Sequence, residues 1–361
     1  MPPTPSIAVV GATGAVGREM LEVLSQRRFP HASIRLFGSE RSAGTSITYR
    51  GEQVRVEALR EGMLRGPGIA LFSAGSAISK LHAPAAVAQG MFVVDNSSAF
   101  RAEPSCPLIV PEVNPDDLGS RAEGAAPLAP MIAAVPNCSA IIMLVALNPL
   151  RLAFGVKRIV VSTYQAASGA GAAAMEELLT QSRDVLAGRP AVPRVFTEPY
   201  AFNLFSHNAA VDPASGYNGE ELKVISESRR IWHDAGLLIS PTCVRVPVLR
   251  AHCESINVTL SRAATRAEIT AALSAAPSLR LVDDRERNAF PTPLKASGGD
   301  DVLVGRLRPD LSRVHELLGP DVTPTAETPC DRWELFVAGD QLRTGAALTA
   351  VKIAELMLAR M

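Results

Sequence analysis

A glycine-rich junction between a buried strand and a helix constrains the fold of this chain more than any other feature. The apolar run Ile7–Val10 leads into Gly-Ala-Thr-Gly-Ala-Val-Gly at 11–17, after which apolar residues recur with helical spacing. Glycines at such a junction permit a tight turn and a close approach of a ligand to the backbone, and the helix N-terminus attracts a pyrophosphate. The sequence therefore predicts a dinucleotide-binding loop, with a turn kept only for packing as the alternative.

The segments after this loop alternate between strands and helices. Apolar runs predict strands at 33–37, 69–72 and 91–95, a hairpin at 47–56 and a helix at 76–88. Strands that alternate with helices form right-handed βαβ units around a parallel sheet. This order predicts an α/β, Rossmann-type domain in the first part of the chain.

The end of the second strand distinguishes between the two nicotinamide cofactors. An NAD site commonly has an acidic residue there, which binds the ribose hydroxyls. This chain has Ser39, Arg41 and Ser42, a cation and hydroxyls suited to a 2′-phosphate, although Glu40 stands among them. The GxxGxxG spacing is also common in NADP-binding domains. We therefore expect NADP, the alternative being that Arg41 is a solvated loop residue.

The second part of the chain has a different pattern. Longer strands rich in β-branched residues alternate with helices. The predicted strands lie at 158–165, 242–249, 254–260, 302–307 and 333–338. The predicted helices lie at 172–186, 220–232 and 266–275. Thr265 and Glu268 form a capping box at the start of the last helix. This pattern predicts an α+β catalytic and dimerisation domain with one large mixed sheet.

We place the domain boundary directly before Cys138. The NADP-binding domain then covers 1–137 and is completed by a C-terminal helix at 345–361, and the catalytic domain covers 138–344. A loop rich in Ala, Gly and Pro at 119–130 is the strongest local boundary signal.

Composition excludes several classes of protein. The 36 Lys and Arg residues balance 36 Asp and Glu residues, which leaves no basic surface for nucleic acid or membrane lipid. Five cysteines without CxxC pairs or zinc-ligand spacing argue against a disulfide framework and a metal site. The range 124–150 is uncharged, but its four prolines favour a buried core helix over a membrane span. Since the N-terminus lacks a basic, signal-like region, we expect a cytoplasmic protein.

Cys138 is the candidate nucleophile. The segment Val-Pro-Asn-Cys-Ser-Ala at 135–140 leads from a loop into an apolar helix. A cysteine at a helix N-terminus has its thiolate stabilised by the dipole and the unpaired N–H groups, which can also receive an oxyanion. The other cysteines are interpreted as unreactive, with Cys106, Cys243 and Cys253 in or beside strands and Cys330 in a loop.

Three further features indicate where acid–base chemistry and binding take place. A nucleophilic cysteine needs a proton-transfer partner, and His252 stands between two predicted strands. Arg245 lies inside an apolar strand, where a guanidinium is costly to bury unless it meets an anion such as a carboxylate. Glu220 and Lys223 are three residues apart on a predicted helix and face the same side, with a surface ion pair as the alternative.

Motifs along almost the whole chain resemble those of one enzyme family. Besides 11–17 they include Ser-Glu-Arg-Ser-Ala-Gly (39–44), Asp-Asn-Ser-Ser-Ala-Phe-Arg (95–101), Val-Pro-Glu-Val-Asn (110–114), Pro-Asn-Cys-Ser (136–139), Tyr-Gln-Ala-Ala-Ser-Gly-Ala-Gly (164–171) and Arg-Val-Pro-Val-Leu-Arg-Ala-His (245–252). In this order they resemble the aspartate-semialdehyde dehydrogenases. The resemblance implies an NADPH-dependent conversion of L-4-aspartyl phosphate to L-aspartate 4-semialdehyde and phosphate, in lysine (diaminopimelate), methionine and threonine biosynthesis. It also implies a homodimer or homotetramer.

The same resemblance implies a role for each site residue. The catalytic residues would be Cys138 as nucleophile, His252 as acid/base and Gln165 as the residue that orients the substrate. Substrate binding would involve Arg101 and Lys223 for the phosphate, Arg245 for the α-carboxylate, Glu220 for the ammonium, and Asn137. Cofactor binding would involve Gly11, Ala12, Thr13, Gly14, Ala15, Val16, Ser39, Arg41, Ser42, Ser73, Gly75, Asn96, Ser168, Gly169 and Gln341.

The chain departs from the family pattern in two places. Family members commonly read Asp-Asn-x-x-Lys-Gly-Ala-Ala near the C-terminus, with an Asn shortly after, whereas this chain has Asp340-Gln341 and then Thr349. The segment 202–208 is also off-pattern. A catalytically silent paralogue with a binding or regulatory role is therefore one alternative, although the retained Cys138 and His252 count against it.

A related acyl-phosphate or acyl-CoA reductase is the other alternative. An N-acetylated substrate has no ammonium, which would leave Glu220 without a purpose. A CoA thioester would not need the phosphate pair Arg101 and Lys223.

Overall fold

The computed structural model describes residues 4–119 and 126–361, so part of the predicted loop 119–130 lies outside the described residues. Two compact units are present, Met1–Asn137 with Gly345–Met361, and Cys138–Thr344. The helices, in chain order, are α1 (Ala15–Gln26), α2 (Ser76–Ala88), α3 (Cys138–Phe154), α4 (Ala172–Leu186), α5 (Gly219–Ile231), α6 (Arg266–Ser274), α7 (Pro293–Ala296), α8 (Leu311–Leu318) and α9 (Leu348–Leu358).

The first unit is built on a seven-stranded sheet. Its strands are β1 (Ser6–Val10), β2 (Ser33–Gly38), β3 (Ser46–Tyr49), β4 (Glu52–Ala58), β5 (Gly68–Phe72), β6 (Met91–Asp95) and β7 (Ile132–Ala134). They lie in the order β3-β4-β2-β1-β5-β6-β7, parallel apart from the β3–β4 hairpin. The chain order reverses on the two sides of β1, and ligands bind α/β sheets at the carboxyl ends of the strands at such a point.

Two helices illustrate how the sequence forms this unit. α1 follows the glycine loop because Met20, Leu21, Val23 and Leu24 recur at helical spacing, and all four are buried. α9 packs against α1 and β6, and an ion pair between Arg27 and Glu355 at 2.7 Å joins it to α1. The predicted C-terminal helix begins only at Leu348 because 343–347 forms a wide, π-type turn.

The second unit contains a mixed seven-stranded sheet. Its strands are β8 (Val156–Gln165), β9 (Phe205–Ser206), β10 (Leu238–Arg245), β11 (His252–Ala264), β12 (Leu279–Leu281), β13 (Val302–Pro309) and β14 (Cys330–Gly339). The order is β12-β13-β14-β11-β8-β10-β9, with β8 parallel to β10 and antiparallel to β11. The two sheets confirm the predicted fold class, a Rossmann-type domain plus an α+β domain with a large mixed sheet.

α3 packs on the mixed sheet, against β11 and β14, and against α5 and α6. Every residue from Ser139 to Asn148 is buried, which confirms the prediction of a core helix. Within 4–119 and 126–361, no helix is long and apolar enough to cross a bilayer.

The predicted bounds of β10, β11 and β14 were wrong. β10 ends at Arg245 instead of Leu249, because Pro247 has no N–H to donate to a ladder. The apolar residues that follow instead bond to a loop, since Val248 O and Leu249 O accept from the N–H groups of Ala167 and Ser168 at 2.8 and 3.0 Å. β11 begins earlier than predicted, at His252, and Cys330 opens β14 where a loop was expected.

The loop glycines differ in the space around them, which leads to a stability prediction. A Cβ on Gly17 would lie 2.1 Å from the carbonyl oxygen of Gly11 and 2.8 Å from Cα of Ala12, whereas one on Gly14 would meet Gly11 O at 3.3 Å. We expect Gly17→Ala to lower the free energy of unfolding by about 1–3 kcal/mol through overpacking. Gly14→Ala is the matched control with a smaller loss. Urea denaturation of both variants measures the difference, and equal losses would contradict it.

Candidate active site

The glycine loop of the first unit borders a cavity of about 320 Å³ at the carboxyl ends of β1, β2 and β5. Five of the predicted cofactor residues line this cavity: Gly11, Thr13, Gly14, Ser39 and Ser73. Sequence reasoning missed other lining residues, which include Leu59, Ile78 and His82. Leu59 follows β4, and Ile78 and His82 lie on α2. No motif in the sequence indicates that these three side chains face the cavity.

The backbone of the loop fits a dinucleotide. Gly11 has φ +86°, and a Cβ there would lie 2.8 Å from the backbone of Ser73, so only glycine suits this position. The N–H groups of Gly11 and Ala12 donate to the carbonyl of Phe37 and hold the loop against β2. No side chain caps α1, and its first turn has no acidic residue, as expected of a helix N-terminus that receives a phosphate.

The predicted 2′-phosphate residues follow β2. Ser42 Oγ donates to the carbonyl of Ser39, and the two hydroxyl oxygens are 3.2 Å apart. Arg41 is exposed, and Glu40 faces Arg60 at 3.7 Å. The acidic residue that spoke against NADP is thus paired with a cation of its own.

The other predicted residues of this unit lie on neighbouring segments. Ala12, Ala15, Val16, Gly75 and Asn96 belong to the loops and helix starts that follow β1, β5 and β6. At the end of β6, the buried Asp95 accepts from Ser79 Oγ and Ser97 Oγ, both at 2.7 Å, and so fixes the loop that follows. In that loop Arg101 donates to the carbonyl of Asn96 at 3.0 Å.

In the second unit, the backbone of Ala166 bonds to two of the predicted site residues. Its N–H donates to Nδ1 of His252 at 3.0 Å, and its carbonyl accepts from Nη1 of Arg245 at 3.2 Å. Ala166 follows the last residue of β8, while Arg245 ends β10 and His252 begins β11. The sheet therefore brings His252 and Arg245 to one edge, and one peptide segment orients both.

The hydrogen bond to Nδ1 fixes the tautomer of His252. Because Nδ1 accepts a hydrogen bond from the N–H of Ala166, the neutral ring carries its proton on Nε2. Nε2 is buried and has no hydrogen-bond partner among the described residues. Burial, and then the neighbouring Arg245, lower the pKa of His252 to about 3. The ring is therefore a neutral N–H donor at physiological pH.

Gln165, Glu220 and Lys223 form a connected group beside this edge. Gln165 Nε2 donates to Glu220 Oε1 at 3.1 Å, and Lys223 Nζ lies 3.2 Å from Glu220 Oε2. Asn218 caps α5 and bonds to the backbone N–H of Glu220, which sets the start of the helix. Glu220 is buried and Lys223 is partly exposed, so the pair is more than a surface ion pair.

Arg245 is a buried cation without a carboxylate partner among the described residues. Besides Ala166, its guanidinium contacts Asn208 Oδ1 at 3.3 Å and His207 Nε2 at 2.8 Å, both neutral groups. Sequence reasoning assigned no role to His207 or Asn208. The one indication in the sequence is that both residues lie at the end of segment 202–208, which departs from the family pattern.

Gly169 and Gln341 lie in the same cluster. A Cβ on Gly169 would lie 2.8 Å from Cε1 of His252 and 3.2 Å from Nη1 of Arg245, so this loop packs directly on both side chains. Gln341 is buried, with Oε1 accepting from the N–H of Ala251 at 2.9 Å and Nε2 donating to Ser168 Oγ. The structure thus brings Ser168, Gly169 and Gln341 beside His252.

Cys138 is the first residue of α3 and follows the buried Asn137. One turn later, Ile142 lies against Gly339, which pairs with His252 across β14 and β11. Cys138 is partly exposed, whereas the four other cysteines are buried. Burial raises the pKa of Cys243 and Cys253 to about 12, so these two remain thiols.

Because His207 and His252 are buried, we expect the stability of the folded chain to depend on pH in acid. Burial lowers the pKa of His207 to about 4, as it lowers that of His252 to about 3, from an ordinary value of 6.5. Between pH 4 and 6 the unfolded chain therefore binds protons that the folded chain does not, so stability falls as pH falls. We expect His207→Gln and His252→Gln each to reduce this fall in the free energy of unfolding by about 1.4 kcal/mol per pH unit. Urea denaturation across this range measures it, and parallel curves for variant and native chain would contradict it.

Comparisons with known proteins agree with this arrangement. Residues 6–121 match the family model of the semialdehyde dehydrogenase NAD binding domain, and residues 147–318 match that of the semialdehyde dehydrogenase dimerisation domain. An aspartate-semialdehyde dehydrogenase from Synechocystis sp. is 44% identical over 360 residues, covering 100% of this chain and 99% of that protein. One from Bacillus subtilis is 40% identical, covering 97% and 96%.

Solved structures show the same relationship. Aspartate semialdehyde dehydrogenase II from Vibrio cholerae, complexed with ASA, has a TM-score of 0.88 and 38% identity, covering 98% of both chains. The Candida albicans enzyme with NADP shares the fold, with a TM-score of 0.71 and 20% identity, covering 99% of both chains. With a dinucleotide-binding unit, a dimerisation domain and relatives of this identity over its full length, the chain belongs to the aspartate-semialdehyde dehydrogenase family.

Proposed function

We propose that the chain converts L-4-aspartyl phosphate to L-aspartate 4-semialdehyde and phosphate with NADPH, through a thioester on Cys138. The observation that carries this proposal is the buried guanidinium of Arg245, which has no carboxylate partner among the described residues, beside the buried carboxylate of Glu220. An amino acid substrate carries the matching carboxylate and ammonium. The relative from Vibrio cholerae was solved with ASA, which supports the same substrate here.

Each end of the substrate has a proposed partner. Arg245 binds the α-carboxylate, because a buried guanidinium is stabilised by an anion. Glu220 binds the ammonium, and Gln165, which donates to Glu220, orients the acyl group. Lys223 binds the phosphate, and Arg101 and Asn137 remain predictions for phosphate and substrate binding.

The reaction begins with the Cys138 thiolate at the N-terminus of α3. The sulfur attacks the acyl carbon, the bond to the phosphate oxygen breaks, and phosphate leaves with the electron pair. Bound NADPH supplies the hydride that reduces the resulting thioester. The tetrahedral oxyanion on Cys138 then collapses to the aldehyde and returns the thiolate.

His252 assists these steps through its Nε2–H. Since Ala166 occupies Nδ1, the neutral ring presents a donor and no free lone pair. A buried donor that is already oriented stabilises an oxyanion without reorganisation. We therefore propose that His252 acts on the carbonyl oxygen as a hydrogen-bond donor, and that the thiolate leaves without needing a proton.

We propose NADP as the cofactor over NAD. Ser39 and Ser42 present adjacent hydroxyls after β2, Arg41 is an exposed cation, and Glu40 is paired with Arg60. Family membership further supports a homodimer or homotetramer built through the second unit. A cytoplasmic location stays a prediction.

Arg41 is the direct test of cofactor preference. If its guanidinium binds the 2′-phosphate, Arg41→Ala raises KM for NADP by about tenfold or more through the loss of one charge-assisted contact, and leaves KM for NAD unchanged. Arg55→Ala, which removes a different cation of the same unit, is the control. Equal effects of Arg41→Ala on the two cofactors would remove Arg41 from this role.

The activity is tested by NADP⁺ reduction with L-aspartate 4-semialdehyde, with and without inorganic phosphate. We expect sustained turnover that requires phosphate, because phosphate releases the acyl group from Cys138. Cys138→Ala should abolish turnover while NADP still binds, and Cys330→Ala, a buried cysteine on β14, should retain it. Turnover by Cys138→Ala would overturn the nucleophile, and no turnover by the native chain would favour a silent paralogue.

A further inference from the structure

A neighbour of Arg245 that directly follows the edge strand β9 has a role that the family resemblance does not assign. We propose that His207 is a second donor to the substrate α-carboxylate and so a specificity-determining residue of this site. The proposal rests on the proposed function, because it concerns the carboxylate that Arg245 binds.

Strand pairing places His207 beside Arg245. Phe205 and Ser206 of β9 pair with Arg245 and Val244 of β10, and the N–H of His207 donates to the carbonyl of Cys243 at 2.9 Å. The ring is buried, with 8% of the residue exposed. Its position is therefore fixed by the sheet and does not depend on a mobile side chain.

Both ring nitrogens of His207 face hydrogen-bond donors. Nδ1 lies 3.1 Å from the backbone N–H of Ala209, and Nε2 lies 2.8 Å from Nη2 of Arg245. A neutral imidazole has one nitrogen with a lone pair and one with a proton. One of the two contacts is therefore always a donor against a donor, so the N–H of Ala209 and Nη2–H of Arg245 cannot both donate to the ring.

A carboxylate at Arg245 removes this conflict. With Nδ1 accepting from Ala209, His207 carries its proton on Nε2, and this N–H and Nη2–H of Arg245 both donate to the anion. The ring stays neutral because burial, and then Arg245, lower its pKa to about 4, while Glu220 and Lys223 are the other charged groups that act on it. The pair thus forms a cation and a neutral donor, which suits one carboxylate.

Two variants separate this role from simple packing. His207→Phe keeps a ring but loses the donor, beside a guanidinium that already lies 5.8 Å from the ring centre of Phe196. His207→Gln keeps a donor. For oxidation of L-aspartate 4-semialdehyde we expect His207→Phe to raise KM about tenfold or more with a smaller change in kcat, as for the loss of one hydrogen bond to a charged group, and His207→Gln to restore most of it.

A substrate without the carboxylate completes the test. The aldehyde 3-aminopropanal has the ammonium and the reacting carbonyl but no carboxylate, so its kcat/KM should be the same for the native chain and His207→Phe. An equal loss for both aldehydes would overturn the proposal, because it would show a structural effect.

Binding of L-aspartate, which does not turn over, distinguishes this proposal from the proposed function. We expect calorimetry to show weaker binding to His207→Phe than to the native chain and His207→Gln. This result supports the carboxylate role even if the native chain fails to oxidise the semialdehyde. Unchanged binding to His207→Phe, or no binding to the native chain, would overturn it.

Discussion

The candidate site depends on the backbone N–H and carbonyl of Ala166. Its N–H orients the ring of His252, and its carbonyl accepts from the guanidinium of Arg245. The two residues have different tasks in the proposed reaction, since one acts at the reacting carbonyl and the other at the carboxylate. A backbone contact common to both therefore fixes the position of the imidazole relative to the guanidinium.

The loop that holds Ala166 is itself fixed by the segment after β10. Val248 and Leu249 receive its N–H groups, so these residues leave the sheet and cover the loop. In the same loop, Gly169 has no room for a Cβ because the ring of His252 lies directly against it. Packing of this kind restricts the ring of His252, and precise positioning is the property that the proposed reaction requires of it.

The departure from the family pattern at Gln341 has a structural explanation. Ala251, directly before His252, is buried with φ +74°, a left-handed conformation that is strained for alanine. Its N–H donates to Gln341 Oε1, which stabilises that conformation. The side chain that differs from the common Asn therefore supports the residue next to His252, which fits an active enzyme better than a silent paralogue.

Local pattern was enough to predict the glycine loop, the helix that begins at Cys138 and most of the longer strands, because these depend on residues close together in sequence. The capping box of Thr265 and Glu268 was predicted for the same reason and is present. The bounds of β10, β11 and β14 were wrong. The contact of His207 with Arg245 was not predictable, because it depends on the register of a two-residue edge strand. The burial of Glu254 was not predictable either. Its carboxyl has no hydrogen-bond partner among the described residues, and burial raises its pKa well above the ordinary value.

The proposed reaction depends on a covalent acyl-enzyme on Cys138, and single-turnover oxidation without phosphate isolates this intermediate. Native protein is mixed with NADP⁺ and L-aspartate 4-semialdehyde, NADPH is followed by absorbance, and the intact protein is then weighed by mass spectrometry. We expect a burst of about one NADPH per active chain and an added aspartyl group that maps to Cys138. Phosphate-dependent turnover without a burst and without an adduct on Cys138 would contradict it.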